Sequence, residues 1–171
     1  MPDAQSAPTL RALRMLLRTH VRTHGLTLRS VYVSLTGLLG DYGVQLSSHT
    51  FDVSGYPACC CDGLMRALAA QERDSVLLGI PLGDEEDPEA QPSERLFTAV
   101  GQWLADSSDE HGLDLGQAVE IVVSLLADVI GALARQLDWD REETEAFVRD
   151  AVGPSLETYI ARNIPDTLVR K

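Results

Sequence analysis

Two groups of side chains have residue types that bind metal ions. His20 and His24 are four residues apart, which places both imidazoles on one face of a helix, as in many metal sites. Three consecutive cysteines could supply thiolates to the same ion, although neighbours in sequence cannot all reach one tetrahedral ion without strain. The alternative is that Cys59, Cys60 and Cys61 are small core residues, and that the histidines lie near a helix C-terminus, where a cation is favoured. On that alternative no cofactor is expected.

The cysteines could also react as thiols. They precede or open a predicted helix, where the helix dipole lowers a thiol pKa, but Asp62 beside them opposes thiolate formation. An odd, clustered set of three is not a disulfide framework. The cysteine cluster makes redox sensing an alternative function. Catalysis is not indicated, because the sequence contains no GxGxxG, GxxxxGK[ST], HExxH or GxSxG motif.

A row of arginines follows the first predicted helix. Spacings of three and four residues place them along one face, where they could contact the phosphates of a nucleic acid or an acidic protein partner. Residues 1–30 hold five arginines and one aspartate, so their net charge is +4. Because the whole chain carries −12, the remainder carries −16. The alternative is that the row faces solvent or the acidic remainder of the same chain. The residues concerned are Arg11, Arg14, Arg18 and Arg22.

The stretch 115–137 is apolar around most of its circumference, which is typical of a helix that is central in a bundle or shared in an oligomer. Asp114 and Gln117 form a capping-box pattern at its start. Ionisable residues near its middle argue against a membrane span. Its narrow polar stripe is interpreted as an exposed edge or a device that fixes register, and it consists of Gln117, Glu120, Ser124, Asp128 and Arg135. The predicted core and oligomer positions are Val122, Leu125, Leu126, Val129, Ile130 and Leu133.

Helical periodicity over the other segments predicts an all-α bundle of five to six helices around the central helix at 115–137. A minor β element near 44–53 or 76–82 is the main alternative. Thr27 can cap the second helix and Gly40 and Gly43 should end it, and Asp140 with Glu143 forms a second capping-box pattern. Gly153-Pro154 should break or kink the last helix, and the amphipathic segments 96–104 and 147–160 can cover the central helix. Hydrophobic residues make up 44% and aromatics 5%, so the core should be mostly aliphatic. The predicted parts are 1–82 with its basic start, an acidic linker at 83–92 and a C-terminal helical unit at 93–171, which together could form one domain.

These patterns predict a non-enzymatic, acidic interaction protein: an adaptor, a chaperone-like protein or a regulatory subunit, acting as a homodimer with a protein partner. The first alternative is a DNA-binding regulator that contacts nucleic acid through the N-terminal helix and oligomerises through its acidic part. The second is a small metal- or redox-dependent protein. No apolar signal core follows Met1, so a cytoplasmic location is expected, with no membrane contact.

Overall fold

The computed structural model describes residues 6–47, 55–70, 80–83 and 94–163. The described residues form an all-α bundle without strands, which confirms the predicted fold class. Residues 44–47 are helical and 80–82 are not in a strand; the rest of the two predicted β segments lies outside the described residues. The helices are α1 (Ser6–Thr23), α2 (Leu28–Ser47), α3 (Tyr56–Ala70), α4 (Glu94–His111), α5 (Leu115–Gln136), α6 (Arg141–Phe147) and α7 (Gly153–Asn163), with a π-helical turn at Val148–Val152 between the last two.

Helices α5 and α6 begin at the capping boxes that the sequence predicts. The Asp114 carboxylate accepts the Gln117 backbone N–H at 2.8 Å, and the Gln117 side chain accepts the Asp114 backbone N–H at 3.0 Å. Asp140 and Glu143 make the same reciprocal pair, each bond 2.8 Å long. Each box satisfies two amides that the first turn leaves without helical partners, which is why local sequence alone locates both helix starts.

Helix α5 is the centre of the bundle, as predicted. Residues 121–130 are buried without interruption, so the helix is enclosed on every side. Helices α1, α2 and α3 pack against it, whereas α4 packs on α1 and α2, and α7 packs on α2 and α3. The sequence suggests α4 and α7 as its cover, but the helices that enclose α5 are α1, α2 and α3. The predicted core positions are all buried: Val122, Leu125, Leu126, Val129, Ile130 and Leu133.

Helix α2 continues past the two glycines that were expected to end it. A Cβ at Gly40 would overlap the ring of Tyr159, and a Cβ at Gly43 would come within 2.7 Å of Ile160 and 2.8 Å of Tyr56. The glycines therefore permit the close approach of α3 and α7 to α2, and they do not terminate the helix. The predicted helix end is wrong because the packing of α3 and α7 at these positions offsets the helix propensity that glycine costs.

The last helix is not broken at Gly153-Pro154, because a π-helical turn precedes the proline. The Gly153 backbone N–H donates to the Val148 carbonyl, five residues earlier. Because Pro154 has no N–H to donate, the wider turn lets the chain pass the proline and continue into α7. The Cys61 thiol also donates to the Val148 carbonyl, at 3.6 Å, so α3 packs on this turn.

The described segment 80–83 caps the start of α2. The Pro81 carbonyl accepts the Leu28 N–H at 2.8 Å, and the Leu82 carbonyl accepts the Arg29 N–H at 3.2 Å. Thr27, the predicted cap, accepts the Ser30 N–H at 3.2 Å. Of the predicted acidic linker at 83–92, only Gly83 lies within the described residues, and the predicted division into parts stays a prediction.

Replacing Gly40 with alanine should destabilise the fold by about 1–3 kcal/mol, because the added methyl group collides with the ring of Tyr159. Gly101→Ala is the matched control, since nothing lies within 4 Å of a Cβ there and alanine is the better helix former by up to about 1 kcal/mol. Urea denaturation of both variants measures the difference. Equal stability of Gly40→Ala and the unchanged protein would contradict the close packing of α2 and α7.

Candidate protein-interaction surface

Helix α1 is amphipathic, and its apolar side is buried. Leu10, Leu13, Leu17 and Val21 follow spacings of three and four and are at most 5% exposed. This side packs against α4 and α5. The opposite side of the helix therefore faces away from the protein's own core.

One of the four predicted contact arginines is turned inward. Arg14 Nε donates to Asp128 Oδ2 at 2.7 Å and Arg14 Nη2 donates to Oδ1 at 3.3 Å, a two-point contact between α1 and the middle of α5. The Asp128 side chain is 8% exposed and that of Arg14 is 36% exposed. The carboxylate is thus enclosed, while the guanidinium keeps contact with solvent.

This ion pair corrects the interpretation of the polar stripe on α5. Ser124 and Asp128 are buried, Asp128 beneath Arg14 of α1, so they are not at an exposed edge, whereas Glu120 and Arg135 are exposed. The Ser124 hydroxyl donates a hydrogen bond to the Glu120 carbonyl of the same helix at 3.0 Å, so it needs no partner on α1. Periodicity showed that these residues share a line, but it could not show which helix covers part of that line.

The outward side of α1 combines positive charge with exposed apolar surface. Met15 is 54% exposed and Leu16 is 43% exposed; Leu137 at 38% is the other large apolar side chain exposed among the described residues. Single exposed apolar residues are ordinary. These two are consecutive, so at 3.6 residues per turn they point about 100° apart, and Met15 is the one that lies between arginines along one line of the helix. We call this surface the α1 outer face and define it by Arg11, Met15, Leu16, Arg18 and Arg22.

Sequence reasoning found the arginines of this face but missed its apolar centre. Met15 and Leu16 fall between the positions of the buried row, so they continue an apolar run without belonging to it. The sequence did contain a signal for this surface. Leu10, Leu13 and Leu17 already form a buried row at helical spacing, so Met15 and Leu16 are apolar residues outside that row.

The predicted histidine pair lies where α1 meets α4. The rings of His20 and His24 are 4.4 Å apart, and His20 meets Trp103 edge-on at 5.9 Å. Arg95 Nη1 donates to His24 Nδ1 at 3.4 Å. His20 Nε2 is buried and has no hydrogen-bond partner among the described residues. Burial, and then the charges of His24 and Arg95, lower the pKa of His20, so the neutral imidazole is favoured here.

The three cysteines lie on α3 and are free thiols in different environments. Cys59 is exposed, Cys60 is buried and Cys61 is half-buried. Burial raises the pKa of Cys60 to about 12, and burial together with Asp62 and Glu157 raises that of Cys61. A helix dipole was expected to lower the pKa of these thiols, but desolvation has the larger effect on Cys60 and Cys61. Both thiols therefore stay protonated at neutral pH, which is unfavourable for a nucleophile.

The structure does not bring the two predicted metal-binding groups together. His20 lies on α1 and His24 directly after its end, both near α4, whereas the cysteines lie on α3, which packs against α5 and α7. Within the described residues, no three His, Cys, Asp or Glu side chains are close enough to hold a metal ion.

No protein-family model, curated protein or solved structure matches the chain. By length and composition, α5 is the helix among the described residues that could cross a membrane, and 78% of its most apolar window is buried inside the bundle. A core helix has the same properties, so α5 carries no argument for a membrane.

The Arg14–Asp128 pair should respond asymmetrically to substitution. Arg14→Met removes the guanidinium from an enclosed carboxylate and should cost about 2–3 kcal/mol of unfolding free energy. Asp128→Leu leaves an arginine that can turn to solvent and should cost about 1 kcal/mol or less. The double variant should regain most of the loss caused by Arg14→Met, because no carboxylate then remains to be buried. Urea denaturation of all three variants gives the comparison; a larger loss for Asp128→Leu than for Arg14→Met would contradict it.

His20 should make the stability depend on pH in the weakly acidic range. Its lowered pKa means that the unfolded chain binds more protons than the folded one just below about pH 6.5, so its contribution to stability falls as pH falls through this window. The melting temperature of His20→Gln, relative to the unchanged protein, should therefore rise between about pH 7.5 and about pH 5.5. A difference that is constant or falls over this range would show that His20 is not held neutral between His24 and Arg95.

Proposed function

We propose that the protein is a non-enzymatic, acidic helical interaction protein that assembles through the α1 outer face, with a second copy of the chain as its partner. The observation that carries this proposal is the adjacent exposure of Met15 and Leu16 between arginines. Burial of these side chains would remove apolar surface from water, and the arginines would favour a partner of opposite charge.

A second copy fits the charge of this face. The chain carries −12 overall although its first thirty residues carry +4, so the remainder of any other copy has a net charge of −16. Contact between a basic helix and an acidic surface is attractive and salt-dependent, while like-charged surfaces repel.

The nucleic-acid alternative has less support from the geometry. Arg14 is bound to Asp128, which leaves Arg11, Arg18 and Arg22 for phosphate contacts. Met15 and Leu16 lie among those arginines and would offer nothing to a phosphate backbone. The net charge of −12 also opposes approach to a polyanion.

The test is self-association measured by size-exclusion chromatography with light scattering. The unchanged protein should be larger than one chain at about 100 μM, and the Met15→Gln/Leu16→Gln variant should dissociate at least about tenfold more readily, a change of about 1.4 kcal/mol. Leu137→Gln is the control, because it replaces the other exposed large apolar side chain of the described residues, which does not belong to α1, and it should leave the mass unchanged.

Two results would overturn the proposal. One is a single-chain mass for the unchanged protein at that concentration. The other is binding of a mixed-sequence DNA duplex that is lost when Arg11, Arg18 and Arg22 become Gln, in a protein that does not self-associate. Thermal melts of all variants confirm that they are folded, as expected for changes at exposed positions.

A further inference from the structure

A groove opens on the part of the molecule formed by α2, α4 and the start of α5. It has a volume of about 510 Å³, and none of its lining residues belongs to α1. Its walls are mostly apolar, with Leu38, Phe97, Leu104, Leu113 and Leu115 among them. The volume lies within the usual range of binding sites, roughly 300–1,000 Å³, so the groove can accept a few side chains of a partner.

The polar groups of the groove favour a cation. Asp41 and Asp114 are its charged lining residues, and the lining contains no Lys, Arg or His. On α4, Asp106 and Asp109 are exposed and follow the lining residue Ala105, so they add negative charge beside the groove. An anion would meet only like charge here, whereas a cation beside the apolar walls would be attracted.

Each of these two carboxylates is held in place by a hydrogen bond to one of its oxygens. The Tyr159 hydroxyl donates to Asp41 Oδ1, and the Gln117 backbone N–H donates to Asp114 Oδ1. Burial and the neighbouring Asp41 raise the pKa of Tyr159 to about 12, so its hydroxyl remains a donor at neutral pH. Among the described residues, Oδ2 of either carboxylate has no hydrogen-bond partner, so each can accept a bond from a guanidinium.

The α1 outer face has the complementary arrangement. Arg11, Met15, Arg18 and Arg22 recur at spacings of four, three and four, so they form one line along the helix, about 16 Å from end to end. Met15 thus lies between arginines on α1. The groove has the matching pattern, because its apolar walls lie beside carboxylates. A helix that inserts its apolar residues into a groove and places charges at the rim is a recurrent mode of recognition.

Resting on the proposed function, we infer that the α1 outer face of one copy occupies the α2/α4/α5 groove of another copy. Met15 enters between the apolar walls, Leu16 packs at their edge, and the arginines in line with Met15 approach Asp41 and Asp114. The occupant comes from a second copy because the outer face of α1 points away from the bundle that its own inner side packs against. One contact accounts for both features, the exposed basic helix and the acidic apolar groove.

The groove is tested by Ala105→Lys, which puts bulk and positive charge at an exposed position in its lining. Ala161→Lys is the matched control, since it makes the same substitution at an exposed position of α7 that does not line the groove. Light scattering should show Ala105→Lys as a single chain and Ala161→Lys assembled like the unchanged protein. Thr98→Lys, also exposed and in the lining, repeats the test if Ala105→Lys melts below the unchanged protein.

A mixing experiment then identifies the two surfaces as partners. The Met15→Gln/Leu16→Gln chain keeps an intact groove, and the Ala105→Lys chain keeps an intact α1 outer face. Each alone should be a single chain, and an equimolar mixture should give the mass of two chains, because only one α1–groove contact remains. A mixture that stays at the mass of one chain would overturn the inference.

The outcomes separate this inference from the proposed function. If Met15→Gln/Leu16→Gln dissociates the assembly but Ala105→Lys and Thr98→Lys do not, α1 is an assembly surface and its receptor is not this groove. If the unchanged protein is a single chain at about 100 μM, or if the α1 variant assembles normally, the proposed function fails as well.

Discussion

The ten residues from Ile121 to Ile130 are all buried, so α5 has to be covered on every side over about three turns. This requirement determines the arrangement of the other helices. Neither a flat layer nor a single partner helix can enclose a cylinder, and the bundle meets the need with α1, α2 and α3 around it. Burial of this aliphatic surface is the main favourable free energy of the fold, because the chain has few aromatic residues to contribute.

Enclosing α5 also encloses Asp128, and that charge determines how α1 is placed. A carboxylate that loses water needs a charged or hydrogen-bonding partner, and Arg14 supplies two donors from α1. Once Arg14 and the row from Leu10 to Val21 face inward, helical geometry directs Met15 and Leu16 outward with the other arginines. The same constraint that buries α5 therefore produces the exposed basic face on which the proposed function rests.

The sequence could predict the features that depend on neighbours along the chain. The capping boxes at Asp114 and Asp140 and the apolar continuity of α5 are local, and both were correct. The errors at Gly40 and Asp128 involve distant residues. Tyr159 packs on Gly40 from more than a hundred residues away, and α1 covers Asp128. Neither of these contacts leaves a periodic trace in the sequence.

The candidate site shows the same division. The arginine row was visible in the sequence, but its split into inward Arg14 and an outward remainder depends on where the α5 carboxylate lies. The groove could not be foreseen, because its walls come from three helices that only the tertiary fold brings together.

The central claim is that Arg14 turns inward, Met15 turns outward, and a second copy covers Met15. Peroxide oxidation followed by mass spectrometry measures this directly, with the half-buried Met65 on α3 as an internal reference. In dilute protein, Met15 should form sulfoxide faster than Met65, and it should become protected as the protein concentration rises while Met65 does not change. A Met15 that is slower than Met65 in dilute protein, or whose rate is independent of concentration, would contradict the account.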